Sequence, residues 1–424
     1  MNTDRIKQIL DRLAKRIVEI EERPIPEEGL AERLHRGLPT VHGGAVINPE
    51  LVEARVQALH DISAITEKSG VWGPSSVDFA VWNFTDRIAA SVEQKRQAEI
   101  HSIVSAAAMK FAEDPSSWVV DILIYGIDGS CDGMGFGKIR FVREDLYETV
   151  AIDLHIEDFP RGVQMFARLE VSAIDKQSAI ERAESIIDEH LMVLNAICVH
   201  SYPSLIQVAR SNRMGRSYSA HRAGDSVVSQ GIMECFGHNL KMPLSGQELS
   251  FHLNEKVGRR VNQMLASGAT QFNTRVLRAF QFAGAGCVDP HLERSFVMFA
   301  IALESAVLGK DTKSELTYQL GSRVAHLIGN GLEGRRLVAK TVNELYSRRS
   351  VIVHTGEYGV PRSETALMQY YCFAALGMLA AAPTFADFKT NADLEKWFKD
   401  RMLNGPNHFQ PEYEGAQTSR SDTG

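Results

Sequence analysis

Cysteine is scarce in this chain. Its 424 residues hold five (Cys131, Cys198, Cys235, Cys287, Cys372), an odd set with no C-x-x-C pair. That argues against a disulfide framework or a zinc knuckle and points to a reducing, cytoplasmic setting. The closest two of the 14 histidines, His35 and His42, are seven apart, so no H-x-x-x-H turn exists to grip one ion. No G-x-S-x-G elbow offers an acyl-transfer nucleophile, and no G-x-G-x-x-G leads from a strand into a helix. Neither a metal nor a cofactor is therefore expected. Glycine (32) and proline (14) are too few for collagen-like or low-complexity chains. The start, MNTDRIKQILDRLAKR, is charged throughout, unlike a secretory signal.

Long uncharged runs are also missing, with one exception. Ala366 to Ala386 (ALMQYYCFAALGMLAAAPTFA) carries no charge over about the ~20 residues that would span a bilayer. Gln369, Tyr370, Tyr371 and Pro383 interrupt it, so a buried core or subunit-interface helix is expected rather than a membrane span. The loop Gly126 to Lys138 (GIDGSCDGMGFGK) fails two motifs. A phosphate loop needs Gly where Asp132 stands and Ser or Thr at Ile139. A calcium loop needs a bidentate Glu at that same Ile139. A glycine-rich strand connection is expected.

What is present is ordinary globular material, 44% hydrophobic and 23% charged, enough for two or three domains. Ile6, Ile9, Leu10, Leu13, Ile17 and Ile20 recur at three- and four-residue spacing, which predicts an amphipathic helix stopped by Pro24 and Pro26. Further helices are expected over 49–67 and 76–112. The pattern then changes to strands: Trp118 to Tyr125, an alternating run over 150–157, and Ala167 to Val171. A helical period returns from Ala179 to Leu194. The expected domains are an N-terminal helical region over 1–115, a small α+β domain over 116–206, and a basic linker and connector over 207–254. A C-terminal helical bundle over 255–403, of five or six helices, and a polar tail over 404–424 complete the chain. The fold class is thus mainly α with an α+β middle domain and a C-terminal antiparallel bundle. Within the linker, QVARSNRMGRSYSAHRAG reads either as a solvated connector or as an arm for nucleic-acid phosphates. The formal net charge is −7, yet residues 255–401 carry 19 Lys+Arg against 14 Asp+Glu. A basic C-terminal part beside an acidic remainder fits a polyanionic partner.

One chemical motif survives: Arg348–Arg349–Ser350–Val351–Ile352–Val353–His354–Thr355–Gly356, closing a helix that starts near Gly334. Upstream stand Ala302–Leu303–Glu304, Arg323–Val324–Ala325 and Leu345–Tyr346. With these landmarks, about a third of the chain (255–403) resembles the HEPN superfamily, most closely its Apea-like branch. The resemblance implies an antiparallel bundle that forms a homodimer and brings two R-x4-H motifs together. It also implies a metal-independent endoribonuclease, with RNA as substrate and Arg349 and His354 as catalytic residues. In bacteria such fusions resemble antiphage or toxin ribonucleases, with a protein or phage-derived trigger acting at the N-terminal region and no membrane involved. The rival reading is a non-catalytic HEPN-fold module that binds RNA, a nucleotide or a protein partner.

The side chains suit the implied chemistry. Histidine exchanges protons near neutral pH, its unperturbed pKa being about 6.5, and arginine keeps its charge and forks onto phosphate. A regular helix would point Arg349 and His354 about 140° apart, so the helix must loosen there or a second subunit must complete the site. Ser350 is a supporting residue. Glu304, flanked by apolar neighbours, needs a partner, and either Arg323 or Arg349 would serve. Arg323 reads as a brace of the bundle. Arg348 and Arg335 read equally as RNA-phosphate contacts or as solvated surface, and the lesser reading of His354 is a helix-end cap.

Overall fold

A computed structural model describes residues 3–21, 49–94, 96–144, 164–198, 206–208, 218–222, 229–231, 243–267, 270–309, 315–355 and 359–404. Thirteen α-helices and a small antiparallel sheet in the middle of the chain account for the described fold. The chain divides into two compact units. One comprises Met1–Ile124, Ile139–Asp188 and Val208–Gly237, and the other Tyr125–Lys138, Glu189–Gln207 and His238–Gly424.

In the first unit, helices α1 (Thr3–Glu21), α2 (Pro49–Ser69), α3 (Pro74–Glu93) and α4 (Ile100–Phe111) pack together. The α1 stripe supplies the core: Ile6, Leu10 and Ile17 are fully buried, joined by Ile62, Val81 and Ile88 from the neighbouring helices. Each such side chain contributes about 1.5–3 kcal/mol when removed from water. Strands β1 (Ser116–Tyr125), β2 (Ile139–Glu144), β3 (Gln164–Ala173), β4 (Tyr218–Arg222) and β5 (Ser229–Gly231) form an antiparallel sheet in the order β2-β3-β1-β4-β5. Strand β1 is apolar on both faces because it is central. Its one carboxylate, Asp121, is 2% exposed and lies opposite Arg168, whose Nε and Nη2 donate to it at 2.7 and 2.8 Å. A charge so buried requires that fork.

The helical region over 1–115 falls in one compact unit with residues 116–124 and 139–188 of the region expected as an α+β domain, whose residues 125–138 and 189–206 fall in the other. The linker expected over 207–254 contributes β4, β5 and α6 (Gly246–Asn254). The physical reason is the second edge of β1: an apolar central strand leaves a row of backbone donors and acceptors that β4 satisfies. The strand expected over 150–157 lies outside the described residues. Helix α5 (Lys176–Cys198) follows β3, and the Ser178 amide donates to Asp175 Oδ1 at 2.8 Å at its start.

In the second unit, the loop Gly126 to Lys138 spends its donors on protein. The Asp128 amide donates to the Leu244 carbonyl (3.0 Å), Ser130 to Asp128 Oδ1 (2.8 Å), Gly137 to Asn262 Oδ1 (2.6 Å) and Lys138 to His190 Nε2 (3.3 Å). Gly137 has φ +61, and a Cβ there would sit 2.7 Å from the His190 ring, so only glycine fits. Seven helices follow α6, one more than the expected upper count: α7 (Lys256–Ala266), α8 (Gln271–Val288), α9 (Leu292–Val307), α10 (Leu316–Ile328), α11 (Gly331–Thr355), α12 (Arg362–Ala381) and α13 (Asn391–Asn404). Helix α9 packs on α8 and α12, and Phe272, Phe280, Phe296, Phe299, Leu303 and Leu376 of these three helices are buried. The short link after Ile328 makes α10 and α11 antiparallel neighbours. They approach closely at Gly321, where a Cβ would lie 2.8 Å from the Ala339 carbonyl.

Helix α12 coincides with the uncharged run. Met368, Cys372, Ala375, Leu376 and Leu379 are buried, while Leu367 and Tyr370 face solvent. Among the described residues, no helix is long and apolar enough to cross a membrane. Burial also sets the thiols. It pushes Cys131, Cys198 and Cys287 up to about 12 and raises Cys372 as well. At pH 8 about one such thiol in 10⁴ is ionised, so alkylation of these four in the folded protein should run at least a hundredfold slower than in the unfolded chain. Peptide mapping after iodoacetamide checks this; equal rates in the two states would refute it.

Candidate functional site

Helix α11 carries the motif. It runs unbroken for 25 residues, about 37 Å, and buries few of them: Val342, Leu345 and Tyr346. Its last turns contain the poor helix formers Val351, Ile352 and Val353, and the Thr355 hydroxyl donates to the Val351 carbonyl at 2.8 Å. The loosening that would bring Arg349 and His354 together within one chain does not occur. The five-residue step carries His354 about 140° around the helix and ~7.5 Å along it.

Each motif residue therefore meets a different surrounding. Arg349 points toward α9, with its Nε 3.2 Å from Glu304 Oε1 in an ion pair whose members are 21% and 23% exposed. The N–H is not aimed along the oxygen, and neither atom completes a hydrogen bond. The Arg349 guanidinium lies 5.7 Å from the centre of the ring of Tyr346, one turn before it on the helix. Burial pushes the Glu304 carboxyl up, and Arg349 and the Tyr346 hydroxyl pull it partly back. Arg348 points toward α12, where its Nε meets Glu364 Oε2 at 3.4 Å. Ser350 is half-buried, and His354 is exposed beside the exposed Val351 and Val353.

The structure thus brings Arg349 to Glu304 and leaves the other candidates elsewhere. Arg323, on α10, bonds the Val307 carbonyl (2.7 Å) and pairs with Glu395 through both terminal nitrogens, at 2.9 and 2.7 Å. Arg275 joins it: its guanidinium caps the carbonyls of Ser305, Ala306 and Leu308 and lies 3.6 Å from Glu395. Of the two partners that sequence reasoning offered Glu304, Arg349 is the one found. Arg335 lies fourteen residues before Arg349, about 21 Å along the helix, with its Nε buried and without a hydrogen bond.

Sequence reasoning missed the parts played by Tyr346, Glu364, Arg275 and Glu395. The i, i+3 spacing of Tyr346 and Arg349 was the available signal for the first. The other three contacts are long-range and left no periodic trace. Among the described residues, no group of three His, Cys, Asp or Glu side chains is placed to hold a metal ion. Compared with protein-family models, with curated proteins and with solved structures, the chain matches none of them.

Proposed function

We propose that the protein is a metal-independent endoribonuclease of a HEPN-like kind, in which Arg349 of one subunit and His354 of a second form each site. The observation that carries this reading is the division of the motif around α11. Arg349 is held against Glu304 with its side chain about one-fifth exposed, whereas His354 stands on a different arc, exposed. A group one chain cannot bring to its own arginine can be supplied by a second copy. The exposed apolar side chains Leu337, Val351, Val353, Leu367 and Tyr370 on α11 and α12 are what such a homodimer would cover. His354 then takes the proton from a ribose 2′-OH or gives one to the leaving 5′-oxygen, and Arg349 balances charge on the phosphorane. The 2′-OH nucleophile makes RNA the substrate. A bacterial antiphage or toxin-like role, triggered through the N-terminal region, fits this reading.

A second reading is favoured by the same geometry: with Arg349 paired and His354 turned away, a non-catalytic module could bind RNA, a nucleotide or a protein partner. One experiment separates them. Purified full-length protein, incubated with total RNA and EDTA, should give fragments with 2′,3′-cyclic phosphate and 5′-OH ends. His354→Ala should abolish them, and light scattering should report twice the 47.0 kDa chain mass. Ends carrying 5′-phosphate, or activity that EDTA removes, would rule out the mechanism. A monomer that cuts would rule out the shared site.

A further inference from the structure

In the first unit, helices α2 and α3 are joined by a short turn, and one seam between them shows apolar side chains to solvent. Val52 and Val56, one turn apart on α2, are 38% and 58% exposed, and half-buried Leu59 stands one turn further on. On α3, Phe79 is 64% exposed and half-buried Trp82 follows it at i+3. The Arg55 guanidinium of α2 lies over the Trp82 ring and so ties the two stripes together across the seam. The core side chains Ile62, Val81 and Ile88 occupy the opposite faces of the same helices. A surface that groups a phenylalanine, a tryptophan and two valines is of the kind that a partner covers.

Charge decides what covers it. Arg55 is buried and spends itself inward, with its Nη2 3.4 Å from Asp78 Oδ1 and its guanidinium face on the indole. Asp78 is still 47% exposed; Asp86, one turn beyond Trp82, and Glu67, three turns beyond Val56, are exposed as well. Among the described residues, neither stripe shows an exposed Lys or Arg. The surroundings have the same sign: of 46 Lys+Arg and 53 Asp+Glu in the chain, 19 and 14 lie within 255–401, which leaves the rest acidic. An apolar seam edged by carboxylates matches a partner that is apolar on one face and basic beside it. An extended peptide would need a free sheet edge, which two helices do not offer, whereas the ridges along a helix pair accept a third helix.

We infer that the α2–α3 seam docks a basic amphipathic helix of a protein partner, whose apolar face covers Val56, Phe79 and Trp82 and whose Lys or Arg side chains meet Asp86, Asp78 and Glu67. The inference stands on the first unit alone and holds whether or not the second unit cuts RNA. Because the carboxylates are exposed, their share of the binding is screened by salt, while the share of Phe79 is not.

The test uses the full chain and a dye-labelled synthetic helix of about 18 residues, five turns, with Leu on one face and Lys on the other; a twin carries Glu in place of Lys. Fluorescence anisotropy should show saturable binding of the Lys peptide with a Kd of about 10 μM, and binding of the Glu twin at least about tenfold weaker. Phe79→Ser and Asp86→Lys, both at exposed positions, should each weaken the Lys peptide about tenfold, and Asp86→Lys should also flatten the salt dependence. Phe251→Ser, at an exposed phenylalanine of the second unit, should stay within about twofold of the wild type. Circular dichroism checks that all three variants are folded. No saturable binding, equal binding of the two peptides, or an unchanged Phe79→Ser protein would overturn the inference. So would either of two other occupants: self-association in sedimentation that Phe79→Ser abolishes, which means a second copy, or cosedimentation with neutral phosphatidylcholine vesicles that the same variant abolishes, which means a lipid surface.

Discussion

Replacing Arg349 with alanine should nearly abolish RNA cleavage while the protein stays folded, and replacing its neighbour Arg348 should not. The two arginines are adjacent in sequence, yet a 100° step sends them to different partners. Arg349 reaches Glu304 on α9 and is about one-fifth exposed. Arg348 reaches Glu364 on α12 at 3.4 Å and is 41% exposed, the kind of pair that contributes 0–1 kcal/mol. A charged group that meets charge developing in the transition state is worth on the order of 10²–10³ in rate. Arg349→Ala should lose that much. Burial already raises the pKa of Glu304, so once its arginine is gone the carboxyl can take up a proton rather than remain a buried, uncompensated anion. The fold is therefore expected to survive, which circular dichroism would show. Arg348→Ala should keep single-turnover cleavage within about tenfold at saturating RNA and lower the salt dependence of binding by about one phosphate contact. If Arg348→Ala proves the inactive variant, the motif is R-x5-H and the assignment of Arg349 fails.

Local regularity decided what could be read in advance. The α1 stripe, the apolar β1 run and the uncharged α12 each repeat a period that only one kind of element satisfies. Strands β4 and β5 repeat nothing. They are short and polar, and they exist because β1 has a second edge to pair, a property of the sheet rather than of their own residues. The site divides in the same way. That Glu304 must have a partner follows from its apolar neighbours, but which arginine it meets is settled by the packing of α11 on α9. The angle between Arg349 and His354 was legible because it depends on helix geometry alone, and α11 continues to Thr355 without a break. Arg335 was grouped with the motif by charge, and helix length separates it again.

The largest effect on stability should come from a residue that carried no signal in the sequence. Among the described residues, Glu395, on α13, is the carboxylate shared by Arg275 and Arg323, whose side chains are only 9% and 10% exposed. The two guanidiniums cap the carbonyls that end α9, where a helix dipole favours cations. They also repel each other: burial and Arg323 lower the pKa of Arg275, and Glu395 opposes both. Glu395→Gln keeps the shape and removes the charge, leaving two buried cations facing one neutral amide. Breaking a buried pair from one side costs about 3–5 kcal/mol. Because Glu395 is itself 35% exposed, the low end applies, on the order of 3 kcal/mol. For a unit of this size that corresponds to a fall in Tm of roughly 6–12 °C. Lys396→Ala, one residue away, should move Tm by no more than about 2 °C, as surface changes do. Calorimetry on the full chain reads both, and the transition that shifts should be that of the second unit alone. A Glu395→Gln protein that melts with the wild type would mean that the caps on α9 hold these arginines without their carboxylate.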